Sequence, residues 1–173
     1  MTHVSRATNK PTSKAVIDPV ALRETAGTFA TGITIITCTA DGTPNGCAAN
    51  AVMSLSLDPP LMFISLAETS RTRLAIETSG RFAINILPDG EQGSRLCSIF
   101  AGRTGDKFRE LSYRCGTLGS PLLEEALSWL ECSVESSQVM GDHTCLIGRV
   151  HAMDHTEGEP LVFFRGKNRR LAA

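Results

Sequence analysis

The chain has 173 residues, of which 42% are hydrophobic and 20% charged, and its formal net charge is −1. This balance is typical of a soluble globular protein and argues against a basic nucleic-acid-binding surface or an anionic-membrane surface. No apolar run reaches the roughly 18 residues that would span a bilayer. The polar N-terminus lacks the apolar segment of a secretory signal. We therefore expect a mobile arm over residues 1–17 and one domain over residues 18–173.

Six cysteines are spread along the chain, at Cys38, Cys47, Cys97, Cys115, Cys132 and Cys145. They form no CxxC pair, and no histidine stands at zinc-finger spacing, so no metal site is expected. Secreted disulfide scaffolds are usually much shorter and richer in cysteine. We therefore expect mostly reduced thiols that pack as small hydrophobic side chains, and a cytoplasmic location.

The first predicted elements are a helix and a β-hairpin. Asp18-Pro19 is a favourable helix start, with an N-cap carboxylate followed by proline at the first helical position, and the helix should run to about Phe29. The β-branched run over residues 33–40 predicts a strand. Asp41-Gly42 predicts a tight turn back into the next stretch.

That next stretch, GCAANAVMSLSLDPP over residues 46–60, combines two patterns. Its first half consists of small residues, which let a flat group or another backbone approach a strand. Its second half alternates serine and leucine, which predicts a strand with one apolar and one polar face, and the two prolines should end the pairing. From the residues alone, the simplest interpretation is a half-buried strand.

The middle of the chain predicts two strands and two helices. The continuously apolar LMFISL at 61–66 predicts a strand buried on both faces. Ser70 can cap a helix over residues 71–79 that Gly80 ends. An alternating strand follows over residues 81–87, and then a second helix over residues 88–100.

The last third is dominated by strands, over residues 127–139, 144–153 and 161–165. Together with the earlier strands they predict a mainly β fold, a closed or nearly closed antiparallel barrel. There is no GxGxxG motif after a first strand and no βα alternation, which argues against a Rossmann fold. If the chain binds a dinucleotide, we therefore expect the binding site on the surface of the predicted barrel.

Two sets of polar residues have a structural and a functional interpretation. Arg71 and Thr72, at a predicted helix N-terminus, can be ordinary capping residues or can bind a phosphate group. His143 can be a turn residue or a group that hydrogen-bonds a ligand. Both interpretations stay open from the residues alone.

Seven motifs occur along the chain in the order FATGITIIT (29–37), SLSLDPPL (54–61), TSRT (69–72), SGRFAINIL (79–87), DKF (106–108), GDHT (141–144) and PLVFFRG (160–166). Together they resemble the short-chain flavin reductase family, the reductase components of two-component flavin-dependent monooxygenases. The resemblance covers residues 18 to about 168. It implies the FMN-binding split β-barrel, a mainly antiparallel fold with a few peripheral helices.

The resemblance also implies a set of cofactor-binding residues. The flavin is expected at Asn45, Gly46, Cys47, Ala48, Asn50, Ala51, Ser65, Leu66, Ala67 and Phe100, with Arg71 and Thr72 on its phosphates. The nicotinamide cofactor is expected at His143, Phe163, Phe164, Arg165 and Gly166.

The chain departs from the family pattern at four of its positions. Ala48 and Ala51 stand where hydroxyl residues are usual, and Asn168 where tyrosine is frequent. Ile99 stands where the family has arginine, and Arg95, one turn earlier, is a rough substitute at best. The resemblance therefore leaves the relative affinities for FMN and FAD open.

The function that the resemblance implies is an NAD(P)H:flavin oxidoreductase that reduces FMN or FAD and supplies reduced flavin to a separate monooxygenase. The two cofactors perform the chemistry, so no catalytic side chain is expected. A homodimer is expected as well. Two alternatives are a non-enzymatic flavin-binding electron carrier and a pyridoxamine-phosphate-oxidase-like enzyme on the same fold, which the GDH and FFRG motifs argue against.

Overall fold

The structure is a computed structural model that describes residues 16–102 and 105–171, so most of the predicted N-terminal arm lies outside the described residues. The helices of these residues are α1 (Pro19–Ala26), α2 (Arg71–Ser79) and α3 (Glu91–Ala101). The strands are β1 (Thr31–Gly32), β2 (Thr34–Ala40), β3 (Thr43–Ala49), β4 (Val52–Leu57), β5 (Pro60–Ala67), β6 (Arg81–Ile86), β7 (Tyr113–Cys115), β8 (Pro121–Leu123), β9 (Ser128–Met140), β10 (His143–His155), β11 (Val162–Phe164) and β12 (Lys167–Arg169).

Seven antiparallel strands form the main sheet, in the order β3-β2-β6-β9-β10-β5-β4. The two edge strands, β3 and β4, are joined in the chain by only Asn50 and Ala51. Because two residues cannot cross a flat seven-stranded sheet, the sheet must curl until its edges approach each other. The predicted mainly β, split-barrel architecture with peripheral helices is confirmed. Two smaller sheets, β1-β11-β12 and β7-β8, flank it.

The apolar core has two parts on opposite faces of β2. Ile36 belongs to a cluster with Ile64, Ile76, Phe82 and Leu146, which joins α2 to the main sheet. Ile35, its neighbour, belongs to a cluster with Leu87, Leu96, Phe100 and Leu161, which joins α3 to the sheet. Successive side chains on a strand point to opposite faces, so β2 holds both helices in place.

The stretch from Gly46 to Pro60 is two strands, not one. It breaks at Asn50-Ala51, and Pro60 pairs with Leu57 across a hairpin instead of ending the pairing. The prediction of one apolar face along the alternating half was also wrong. The pairing with β5 shifts register between Ser54 and Ser56, and this irregularity interrupts the alternation of faces. Met53, Leu55 and Leu57 are 55%, 45% and 89% exposed.

The prediction that β5 is buried on both faces was also wrong, because the described chain fully covers only one of them. Ile64 and Leu66 are buried, whereas Leu61, Phe63 and Ser65 on the opposite face are only half-buried. The apolar run therefore continues onto a face that a single chain does not cover.

Several boundaries and short elements differ from the sequence-based expectation. Helix α1 ends at Ala26, where the N–H of Gly27 bonds the carbonyl of Arg23, and α3 begins at Glu91. The short strands β7, β8 and β12 were not predicted, because three residues are too few for a periodic pattern. All six cysteines are free thiols. No helix of the described residues is long and apolar enough to cross a membrane.

Candidate functional site

A cavity of about 920 Å³ lies where the edges of the main sheet approach each other, within the roughly 300–1,000 Å³ of small-molecule sites. We call it the β3 cavity. It is lined by residues 43–51, 65–67, 69–72, 100–102, 105–108 and His143. It therefore contains every residue that the sequence assigned to the flavin, together with His143.

The small residues of β3 have two different roles in this wall. A Cβ atom at Gly46 would lie 2.6 Å from Cε1 of Phe100, so glycine lets the phenyl ring of α3 pack against the strand. The flat group that approaches Gly46 is thus the chain's own Phe100, which is 1% exposed. Cys47 and Ala48 are half-buried and leave the cavity open beside them.

The N-terminus of α2 forms another part of the wall, and its capping is done by Ser70. The Ser70 hydroxyl accepts a hydrogen bond from the backbone N–H of Arg73 at 3.4 Å. The Arg73 guanidinium in turn donates to the carbonyl of Glu68 at 3.0 and 3.1 Å and to the carboxylate of Glu77 at 2.5 Å. These bonds fix the turn from β5 into α2, while Arg71 and Thr72 line the cavity.

His143 begins β10 and is oriented by its neighbour. Its Nδ1 lies 2.7 Å from Oδ1 of Asp142, and the hydrogen bond and charge of His143 lower the pKa of the Asp142 carboxyl. The carbonyl of Asp142 accepts from the N–H of Glu68 at 2.9 Å. With Nδ1 held by Asp142, Nε2 is the ring nitrogen left for a ligand. His143 is therefore both a turn residue and a residue of the cavity wall.

Lys107 lines the cavity but was not among the predicted site residues. Its Nζ donates to the carbonyl of Phe100 at 2.9 Å and to the carbonyl of Gly46 at 3.1 Å. Burial lowers the pKa of Lys107; the Cys47 thiol opposes this effect and the nearby Arg71 charge adds to it. The only signal in the sequence was its place in the DKF motif.

The cavity wall carries more positive than negative charge. Arg71 and Lys107 face it, and the acidic side chain among its lining residues is Asp106, whose Oδ1 accepts a hydrogen bond from the N–H of Phe108 at 3.0 Å. Hydroxyls of Thr69, Ser70 and Thr72 lie on the same side. Such a donor set favours an anionic ligand.

The predicted residues Phe163, Phe164, Arg165 and Gly166 do not line the cavity. Strand β11 pairs with β1, and Phe163 stands opposite Thr31. The Thr31 hydroxyl accepts a hydrogen bond from the Asn50 side chain at 3.3 Å. The last strand is therefore connected to the cavity through β1 and Asn50, and its nicotinamide-binding role stays a prediction.

Arg95, the residue considered as a rough substitute for the arginine that Ile99 replaces, does not line the cavity. Its guanidinium bonds both carboxylate oxygens of Glu125 at 2.6 Å and lines a separate groove of about 590 Å³ beside β12. Arg95 is therefore not a substitute ligand for the cavity.

Residues 26–172 match the family model of the flavin reductase like domain. The chain belongs to this flavin reductase family. The reductase subunit HsaB of a flavin-dependent monooxygenase from Rhodococcus jostii is 41% identical over 152 residues, which are 87% of this chain and 77% of that protein. An NADH-dependent flavin reductase from a Rhodococcus species is 37% identical over 90% of this chain and 88% of its own length.

A solved flavin reductase structure has the same fold. It is the NADH:FAD oxidoreductase SgcE6 of Streptomyces globisporus in complex with NAD and FAD fragments, which is 31% identical. The two chains superpose with a TM-score of 0.84 over 91% of this chain and 97% of the other.

Proposed function

We propose that this flavin reductase is an NAD(P)H:flavin oxidoreductase that binds FMN or FAD in the β3 cavity. The β3 cavity is the observation that supports this proposal. It is lined by all the residues that the family resemblance assigned to a flavin. Family membership supports flavin reduction, and the names of two relatives, an NADH-dependent flavin reductase and an NADH:FAD oxidoreductase, support a nicotinamide donor.

The residues of the cavity fit a flavin phosphate and ring. Arg71 and the hydroxyls of Thr69, Ser70 and Thr72 supply donors for a phosphate group at the N-terminus of α2. Cys47, Ala48 and Ala51 are small enough to leave room for a planar ring, and Asn50 adds a polar side chain. In this proposal the first group holds the phosphates and the second group orients the ring.

When bound, the flavin supplies a two-electron acceptor and reduced nicotinamide supplies the hydride. The contribution of the chain is to hold both reactants in a productive orientation and to limit the access of water. His143, fixed through Asp142, is positioned to donate or accept a hydrogen bond from the nicotinamide cofactor at Nε2. No side chain of the cavity needs to act as a nucleophile.

We further propose that reduced flavin leaves for a separate monooxygenase, since the HsaB relative is named as the reductase subunit of such an enzyme. A homodimer in the cytoplasm is part of the same proposal. The exposed apolar side chains of β4 and the half-buried Leu61 and Phe63 of β5 support the homodimer, because a second chain would bury them.

Anaerobic stopped-flow absorbance tests the proposal. The purified protein is mixed with FMN or FAD and then with NADH or NADPH, and the oxidised flavin band near about 450 nm is followed. We expect a loss of this band at a rate that saturates with nicotinamide concentration, and the four combinations give both cofactor preferences.

Two other results would contradict the proposal in different ways. Tight flavin binding without reduction by either nicotinamide would favour an electron carrier. Oxidation of a pyridoxal-type substrate, with no reduction by NADH or NADPH, would favour the pyridoxamine-phosphate-oxidase-like alternative.

A further inference from the structure

Lys107 occupies an unusual position between a helix end and the edge strand β3. Its ammonium bonds the carbonyl of Phe100, in the last turn of α3, and the carbonyl of Gly46 on β3. The last four carbonyls of a helix have no intrahelical partner, and the negative end of the helix dipole favours a cation there. Lys107 is thus held at the cavity wall by two backbone groups instead of extending into solvent.

These two bonds do not use all the donors of the side chain. A lysine ammonium has three N–H groups, of which two are accounted for by Phe100 and Gly46. Because Lys107 is part-buried and lines the β3 cavity, the third N–H is available to a ligand there.

Arg71 adds a second positive charge to the same space. Both residues line the β3 cavity, and after burial the charge of Arg71 also lowers the pKa of Lys107. A single ligand with a negatively charged oxygen would relieve the repulsion between the two charges and satisfy the third donor. The carboxylate of Asp106, which also lines the cavity, bonds the N–H of Phe108.

We propose that Lys107 is a phosphate-specificity residue, which binds the flavin phosphate together with Arg71 and makes the cavity prefer phosphorylated flavins to riboflavin. This inference rests on the proposed flavin site, and it adds a residue outside the set that the sequence assigned to cofactors. It concerns the phosphate group on the ribityl chain, which FMN and FAD share and riboflavin lacks.

The test compares FMN with riboflavin, which differ only in the phosphate. Dissociation constants of both are measured by flavin fluorescence for the wild-type protein, Lys107→Met and Arg71→Ala. We expect Lys107→Met to weaken FMN binding about tenfold to a hundredfold while riboflavin binding changes less than about threefold. Arg71→Ala should likewise weaken the binding of FMN more than the binding of riboflavin.

A matched control removes a positive charge two residues away. Arg109 is exposed and does not line the cavity, so Arg109→Met should leave both dissociation constants unchanged. If Lys107 were only a structural link between α3 and β3, Lys107→Met would weaken FMN and riboflavin by the same factor. That result would overturn the proposal.

A measurement on the wild-type protein covers the case in which Lys107→Met does not fold. Reductive methylation of lysines is followed by mass spectrometry with no ligand, with saturating riboflavin and with saturating FMN. Protection of Lys107 by FMN but not by riboflavin would support the proposal, and equal protection by the two would contradict it.

The outcomes separate this inference from the proposed function. The bound flavin could be reduced by NADH or NADPH while the Lys107 variant keeps the wild-type ratio of FMN to riboflavin affinity. This result would reject only the phosphate-binding role of Lys107. Alternatively, Lys107 could be required for selective FMN binding while neither NADH nor NADPH reduces the bound FMN. This result would reject the oxidoreductase activity and support the phosphate site.

Discussion

At the scale of single residues, Gly46 shows how a small side chain shapes the cavity indirectly. The Phe100 ring fills the space in which a Cβ atom would lie, and its T-shaped contact with Phe108, at 5.2 Å between ring centroids, orders the segment that carries Lys107. Gly46, Phe100 and Lys107 thus form one packed unit behind the ligand space.

Gly46→Ala should destabilise the protein and disturb this unit. The added methyl group would lie 2.6 Å from Phe100, whose ring is buried and cannot move into solvent. We expect a loss of about 1–3 kcal/mol in the free energy of unfolding, measured by urea denaturation, as for other overpacked cores.

The control for this prediction is the double variant Gly46→Ala, Phe100→Leu. It removes ring atoms from the crowded position and should be less destabilised than the sum of the two single variants. Strict additivity of the two changes would contradict the contact as the cause.

At the scale of elements, the segment from Gly116 to Leu123 depends on buried polar side chains of the main sheet. The Glu131 carboxylate, fully buried, accepts hydrogen bonds from the Thr117 hydroxyl at 3.0 Å and the Ser120 N–H at 3.1 Å. Asn85 accepts from the N–H of Leu123 at 2.8 Å. Because β8 pairs with β7 in a separate two-stranded sheet, these side-chain bonds attach the segment to the main sheet.

Glu131→Ala should detach this segment from the sheet. It leaves the buried N–H of Ser120 without its acceptor, which costs about 1–3 kcal/mol, whereas the hydroxyl of the exposed Thr117 can bond water instead. We expect a lower midpoint of urea unfolding and faster amide hydrogen exchange at Ser120. Glu124→Ala, which removes an exposed carboxylate from the following turn, should leave both measurements near the wild-type values.

At the scale of the whole molecule, apolar surface remains without cover in the single chain. Met53, Leu55 and Leu57 on β4 are exposed, and α1 has no buried residue although Val20 and Leu22 are apolar. Several exposed large apolar side chains on one edge strand are characteristic of a protein interface. The proposed homodimer would give them a partner.

Leu57→Glu should weaken the dimer without unfolding the chain. Leu57 is 89% exposed, so the charge costs little in the monomer but would be buried in an interface. We expect sedimentation velocity to show a shift from dimer towards monomer at micromolar protein concentration. Ser98→Glu, at an exposed position of α3, should leave the dimer intact. A wild-type monomer, or an unchanged Leu57→Glu dimer, would contradict this arrangement.

The sequence by itself determined the features that depend on neighbouring residues. Asp18 and Ser70 cap their helices, the alternating run over residues 81–87 predicted β6, and Gly80 ends α2, because capping and periodicity act within a few residues. The ordered motifs were also sufficient to identify the family and the residues of the cavity wall, since all the predicted flavin residues line it.

Only the tertiary structure decided what depends on distant parts of the chain. The serine–leucine alternation predicted one apolar face on β4, but the register shift against β5 interrupts it, and Leu55 and Leu57 are exposed. The place of Lys107 required α3 and β3 to meet, 61 residues apart in sequence from Gly46 to Lys107. The final strand was separated from the cavity by β1. Sequence periodicity specifies faces, whereas packing determines what each face meets.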